Sequence, residues 1–434
     1  MKTKRRVAIT GLGVVSPLGN DVQSTWTNLM ARQSGIAEIK QFDASAFPAR
    51  IAAEVKQFTP AVALSTKHNR FAMPLSQYAL DAAFQAFSDA GIAPTKQTSH
   101  RWGVVAGSGM MTSEFEYLHR FQNACAVDGT VDWVRLQAES REFHQLIDFG
   151  KTTSNTGLSL LIQQFGIEGY ATSVHTACAS GGQALGLALN VIRRGDADYM
   201  LAGGFDSMVS PLGVSSFCLL GALSTYNDSP RTASRPFDGA RNGFVLGEGA
   251  AFLILEEWDS AHARGARVYA ELAGEGNTLS SYRITDSHPN GDGAIQAIER
   301  ALKDAGVKPS EVDYINAHGT STKMNDLSET NAIKAVFGDG AYKIPVSSTK
   351  SQTGHLIAAA GALEAVISVL SIQNARVPMT ANLTTPDPDC NLDYVIEGPR
   401  EKAVGAVLSN SFGFGGSNSC LLFKHPEFRG DNDE

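Results

Sequence analysis

The chain alternates short β-branched runs that end in glycine with longer helical patterns. VAITGLGVV opens it at residues 7–15, and VVAGSG (104–109), YMLAGG (199–204) and INAHG (315–319) repeat the form. Short apolar runs bounded by glycine predict strands buried on both faces. The segments between them read as amphipathic or small-residue helices. The alternation predicts an α/β protein. Only the end, HPEFRGDNDE, lacks any such pattern and reads as a disordered tail.

Two stretches echo one another. Residues 79–94 (ALDAAFQAFSDAGIAP) and 294–309 (AIQAIERALKDAGVKP) share seven of sixteen positions. Each predicts an amphipathic helix stopped by a glycine, Gly91 or Gly306. A strand followed by a small-residue helix also recurs, at 171–194 and 344–373. The echoes predict two similar halves, residues 1–258 and 259–424, followed by the tail at 425–434. Packed together, such halves bring corresponding strand ends face to face, so that residues from both meet in the middle.

Composition narrows the class. The 434 residues are 43% apolar, enough for a large core, and carry a net charge of −8. That balance gives no field favouring nucleic acid or an anionic membrane. Five cysteines, odd in number, widely spaced and without a CxxC, read as reduced thiols of a cytoplasmic protein. They suggest neither a disulfide framework nor a zinc site. The longest apolar helical pattern, 356–372, contains Glu364 and is short for a bilayer.

Four segments carry candidate chemistry. In HTACASGG (175–182), Cys178 falls at a strand-to-helix turn, where a helix N-terminus favours a thiolate. Its own N–H is placed to stabilise an oxyanion; a buried, inert thiol is the competing reading. In NAHGTSTKMND (316–326), His318 ends a strand, and Thr320 and Thr322 either cap a helix or bind a polar ligand arm. In SSTKSQTGHLIAAAGALEA (347–365), Lys350 and His355 share a loop, and Lys350 is the natural partner for Glu364 in an apolar run. NSFGFGGSN (410–418) reads as a flexible loop with two aromatic plugs, Phe412 and Phe414, and lacks the lysine of a phosphate loop.

In this order the four segments resemble the β-ketoacyl-[acyl carrier protein] synthases, the condensing enzymes of dissociated fatty-acid and polyketide systems. The likeness runs from VAITGLGVVSPLG to NSFGFGGSN. It implies a thiolase-like fold: duplicated βαβαβαββ halves in a five-layer α-β-α-β-α arrangement. It implies Cys178 as acyl-accepting nucleophile, and His318 and His355 as the pair that decarboxylates malonyl thioester. Lys350 and Glu364 become supporting charges. Phe414 becomes a gate whose backbone N–H joins that of Cys178 in an oxyanion hole. Thr320, Thr322, Phe412 and Met110 line the path of the substrate and its phosphopantetheine arm. No metal or redox cofactor is implied, since the arm comes with the acyl carrier protein. Lys67, Arg70, Arg231 and Arg235 are a candidate patch for that acidic partner. The small residues after Cys178 leave room for backbone N–H groups and the acyl chain, so Gly182→Leu should impair acylation and spare the fold.

The sequence departs from fatty-acid elongation members in three places. Lys323-Met324-Asn325-Asp326 replaces a Pro-x-Gly-Asp run, the stretch 110–160 lacks its usual proline, and Tyr226 stands where a basic residue is common. These features lean toward a type II polyketide or polyene ketosynthase, paired with a chain-length-factor homologue. The alternative is a homodimeric fatty-acid elongation synthase. A non-catalytic partner subunit, a malonyl decarboxylase and a biosynthetic thiolase fit less well, because Cys178 and both histidines are retained and no second cysteine falls in NSFGFGGSN.

Overall fold

Both halves weave their strands in one order. The computed structural model describes residues 4–430, apart from 110–114, 116–117, 120–121, 124–125, 128, 144–149 and 154. The main sheet takes β1 (Val7–Val15), β2 (Trp102–Ser108), β3 (Ala171–Val174), β4 (Tyr199–Ser207) and β5 (Glu248–Glu257) from the first half. The second half adds β6 (Ala270–Leu279), β7 (Tyr314–Asn316), β8 (Val346–Ser347), β9 (Ala406–Phe412) and β10 (Ser417–Lys424). Across the sheet the order is β8-β7-β9-β10-β6-β1-β5-β4-β2-β3. Read inward from either edge, it is third, second, fourth, fifth and first strand of each half. Within the sheet the halves pair where Ala8 and Ile9 of β1 face Glu271 and Ala270 of β6. This is the thiolase-like architecture, a mixed sheet with helices on both sides.

Helices on both sides of the sheet make the layers. The two echo segments lie on α1 (Pro74–Ala90) and α3 (Asp292–Ala305), which cover the outer faces of the two half-sheets. Gly91 and Gly306 end them with φ of 62° and 66°, in the left-handed region that glycine enters without steric cost. Between the half-sheets run α2 (Ser180–Arg194) and α5 (Ala360–Asn374), the helices of the second echo. α4 (Lys323–Phe337) packs beside α3. α5 is apolar nearly all round because it is enclosed nearly all round. Helical turns from Ile357 to Asn374 are long and apolar enough to cross a membrane, which corrects the expectation from length. Their place is the core, where 89% of the segment is buried.

The symmetry reaches single residues. β1 and β6 each carry an irregularity, at Ile9/Gly11 and Leu272/Gly274. A Cβ on Gly13 would lie 1.8 Å from Ala82 O, and one on Gly276 would lie 2.0 Å from Ala297 O. The echoed helices thus sit directly on strand backbone. The tail corrects its own expectation in part. His425 N–H bonds Gly405 O and Phe428 packs on the second-half core, while 431–434 lie outside the described residues. Gly13→Ala and Gly276→Ala are each expected to cost about 3 kcal/mol through overpacking. Gly340→Ala, with open space around it, is expected to be near neutral. Urea unfolding compares the three.

Candidate active site

The cysteine and one histidine stand on two copies of one turn. Residues 175–182 (HTACASGG) and 355–362 (HLIAAAGA) each form a short 3₁₀ turn leading into α2 or α5. Ala177 and Ile357 take φ of 50° and 48° at matching positions. Such left-handed backbone at non-glycine residues costs on the order of 1–3 kcal/mol, and persists where packing imposes it. Here the packing is visible. A Cβ on Gly181 would fall 2.9 Å from both Ala358 O and Ala362 N, and one on Gly182 would fall 2.9 Å from Ser419 Oγ. The small residues after Cys178 therefore serve contact between the central helices. Gly182→Leu is corrected from a variant that spares the fold to one that disrupts it.

The turns bring the reactive atoms together. His355 Nε2 lies 3.0 Å from Cys178 Sγ. The His318 and His355 rings meet edge to face with centroids 5.3 Å apart. Sγ and one nitrogen of each imidazole lie within 4.8 Å of one another. All three residues are buried, Cys178 at 5% exposure and each histidine at 2%. A cavity of about 320 Å³ reaches them and is also lined by Thr320, Thr322, Phe412 and Phe414.

Local partners set the protonation states. Ile357 N–H donates to His355 Nδ1 at 3.3 Å, which leaves Nε2 to carry the proton when the ring is neutral. Burial, reinforced by the Lys350 charge, holds both imidazoles well below the usual histidine range. In the neutral form each ring has one N–H to donate. Burial also pushes the Cys178 thiol up to about 12, against the pull of Lys350 and of the Phe414 N–H. This corrects the expectation of a favoured thiolate: desolvation outweighs the helix terminus. The three atoms could in principle share a metal. A tetrahedral ion there would need the thiol ionised, against the direction in which burial shifts it.

The remaining predicted residues divide. Lys350 and Glu364 form a buried ion pair, as expected, and burial lifts the carboxyl to about 7 against the Lys350 attraction. Phe412 meets His318 edge to face, and Phe414 packs beside Phe217 at the cavity wall. Thr320 and Thr322 hydroxyls bond each other at 2.9 Å. Lys67, Arg70, Arg231 and Arg235 do not line the cavity. Lys67, Arg70 and Arg231 are exposed, and the Arg235 guanidinium lies over the Tyr226 ring at 4.6 Å. Met110 and much of 110–160 lie outside the described residues.

Two buried acids escaped the sequence reading. Glu329 on α4 accepts the N–H groups of His318 and Gly319, both at 2.8 Å, and the Asn410 amide at 3.0 Å. It fixes the strand end that carries His318. Asp206, near the end of β4, accepts the Ala358 N–H at 3.0 Å. The available signal was acid inside otherwise buried patterns, GGFDS and NDLSET.

Comparison with known proteins gives the family. Residues 4–261 match the beta-ketoacyl synthase N-terminal domain and residues 269–384 match the C-terminal domain. A 3-oxoacyl-[acyl-carrier-protein] synthase 2 from Coxiella burnetii is 44% identical over 96% of this chain and 98% of its own. A type II polyketide ketosynthase, solved with its acyl-carrier protein and bound to the hexaketide, superposes with a TM-score of 0.86 at 34% identity, over 97% of this chain and 100% of that one. The ishigamide ketosynthase/chain length factor gives 0.85 at 33%, over 97% and 99%. The chain belongs to the beta-ketoacyl synthase family. It is accordingly an acyltransferase that forms carbon–carbon bonds.

With the thiol raised, iodoacetamide alkylation of Cys178 is expected to keep climbing from about pH 7 to about pH 10, past the ordinary thiol range. Peptide mass mapping reads it, and a plateau by pH 9 would show a favoured thiolate instead. Lys350→Ala strands Glu364 in the core and is expected to cost about 3–5 kcal/mol. Lys350→Met combined with Glu364→Leu should recover most of that stability in urea without restoring activity.

Proposed function

We propose that the protein condenses malonyl-[acyl carrier protein] with an acyl chain held on Cys178, giving 3-ketoacyl-[acyl carrier protein]. The observation that carries this reading is one thiol and two neutral imidazoles within 4.8 Å at the end of an open cavity. In the first step the Cys178 sulfur attacks the acyl thioester carbonyl. The N–H groups of Cys178 and Phe414 hold the oxyanion. The carrier thiol leaves with the proton that Cys178 gives up. Malonyl thioester then enters along Thr320 and Thr322. Its bond to the carboxylate breaks, carbon dioxide departs, and the electron pair becomes an enolate. Donors from His355 Nε2 and His318 stabilise that oxygen. The enolate carbon attacks the acyl-Cys178 carbonyl, the new carbon–carbon bond forms, and the Cys178 thiolate leaves and takes up a proton from solvent. Lys350, paired with Glu364, keeps both imidazoles neutral and eases thiolate departure.

In this reading the phosphopantetheine arm is the carrier protein's, and Lys67, Arg70, Arg231 and Arg235 form the face that meets the carrier in the cytoplasm. We also place the boundary between the halves near residues 258–259. The edge strand β3, unpaired on one side among the described residues and beside the Cys178 turn, suits pairing with a second subunit. The relative at 44% identity, a 3-oxoacyl-[acyl-carrier-protein] synthase 2, favours fatty-acid elongation, and a homodimer belongs to that reading. A polyketide pathway with a chain-length-factor partner is the second reading, supported by Lys323, Met324 and Asn325 lining the cavity where elongation members carry a different run.

Intact-mass spectrometry with a panel of acyl carrier thioesters tests the reading. One acyl adduct is expected on Cys178, and none in Cys178→Ala. His318→Ala and His355→Ala should each keep that adduct and lose malonyl decarboxylation by about 100-fold or more. An adduct elsewhere, or decarboxylation indifferent to both histidines, would sink it.

A further inference from the structure

The two turns differ in what faces their central N–H. At the first, the residue after β9 is Gly413, and a Cβ built there would lie 3.1 Å from Cys178 N and 2.7 Å from Thr176 O. Having no side chain, it leaves the Cys178 N–H open to the cavity. At the second, Asp206 occupies the matching place at the end of β4, since Phe205-Asp206 corresponds to Phe412-Gly413 in the repeated strand order. Its Oδ2 accepts the N–H of Ala358, the counterpart of Cys178, at 3.0 Å. One repeat thus holds an open oxyanion site and the other the same site filled by a carboxylate.

We propose that Asp206 is a positioning residue, which caps the Ala358 N–H and so holds the second turn in the shape that aims His355 at the thiol. The connection is short. Ala358 follows Ile357, whose backbone is left-handed and whose N–H orients the His355 ring through Nδ1. Asp206 is buried, and space for it depends on Gly109, where a Cβ would fall 2.3 Å from Oδ1. Without the cap, Ala358 carries a buried donor with no partner. The strained turn can then relax, and the imidazole turns with it. Burial lifts the Asp206 carboxyl to about 7, which fits a role needing an acceptor oxygen rather than a charge.

This inference rests on the reading of His355 as a decarboxylation donor. The test measures Asp206→Asn, Asp206→Leu and Asp206→Ala in the full chain beside His355→Ala. The amide keeps an acceptor, so Asp206→Asn is expected to retain kcat for malonyl decarboxylation within about threefold. Asp206→Leu and Asp206→Ala should lose about 100-fold in kcat, the scale of a misaimed catalytic group, with KM changed less than about threefold. Acylation of Cys178, read by intact mass, should be unchanged or faster in all three. The alanine variant keeps the comparison standing if the leucine variant does not fold. Full decarboxylation in a folded Asp206→Leu or Asp206→Ala overturns the inference, and so does an Asp206→Asn as damaged as Asp206→Ala. Unimpaired decarboxylation in His355→Ala instead overturns the functional reading beneath it.

Discussion

At the centre of the molecule two helix N-termini meet with no side chain between their backbones. Cβ atoms at Gly181 and Gly361 would fall 2.9 Å and 2.8 Å from backbone of the opposite turn. That approach fixes where α2 and α5 begin, and therefore where Cys178 and His355 stand. The left-handed residues Ala177 and Ile357 are the local cost of the arrangement. It is offset by two helices buried between two half-sheets. Because cores of this density do not deform gradually, the distance between sulfur and imidazole is set by the packing of the whole domain.

The same enclosure decides the chemistry. In water a histidine pair beside a lysine would titrate near neutrality. Here desolvation and the Lys350 charge act in one direction and keep both rings uncharged. Lys350 and Glu364 face each other as an ion pair inside the core. The ion pair contributes little net stability, and its use is electrostatic. Burial disfavours the thiolate as well, and the two backbone N–H groups beside it offset part of that desolvation.

What could be read from the sequence follows from how local its cause is. The DAG echo, the glycine helix stops and the alternation of strand and helix are local patterns, and α1, α3 and the repeated strand order answer to them. The pairing of Lys350 with Glu364 was legible because an acid in an apolar helix demands a partner. The purpose of Gly181 and Gly182 was not, because their neighbours at Ala358, Ala362 and Ser419 are distant in sequence. Glu329 and Asp206 were missed for the same reason. Each satisfies backbone N–H groups of a segment elsewhere in the chain, and nothing in its own neighbourhood announces that.

Duplication supplied a symmetric frame, and function lies where the symmetry is broken. Cys178 has Ala358 as its counterpart, so only one turn carries a nucleophile. His355 has His175, yet His175 lies at the exposed sheet edge, bonded to Ser108 and Ser173 and outside the cavity. Gly413 has Asp206, so only one of the two matching N–H groups is free to hold an oxyanion. Two copies of the first turn would place two thiols back to back. The observed substitutions divide the chemistry between the turns. In the proposed mechanism the first receives the acyl chain, and the second presents the donor that works on it.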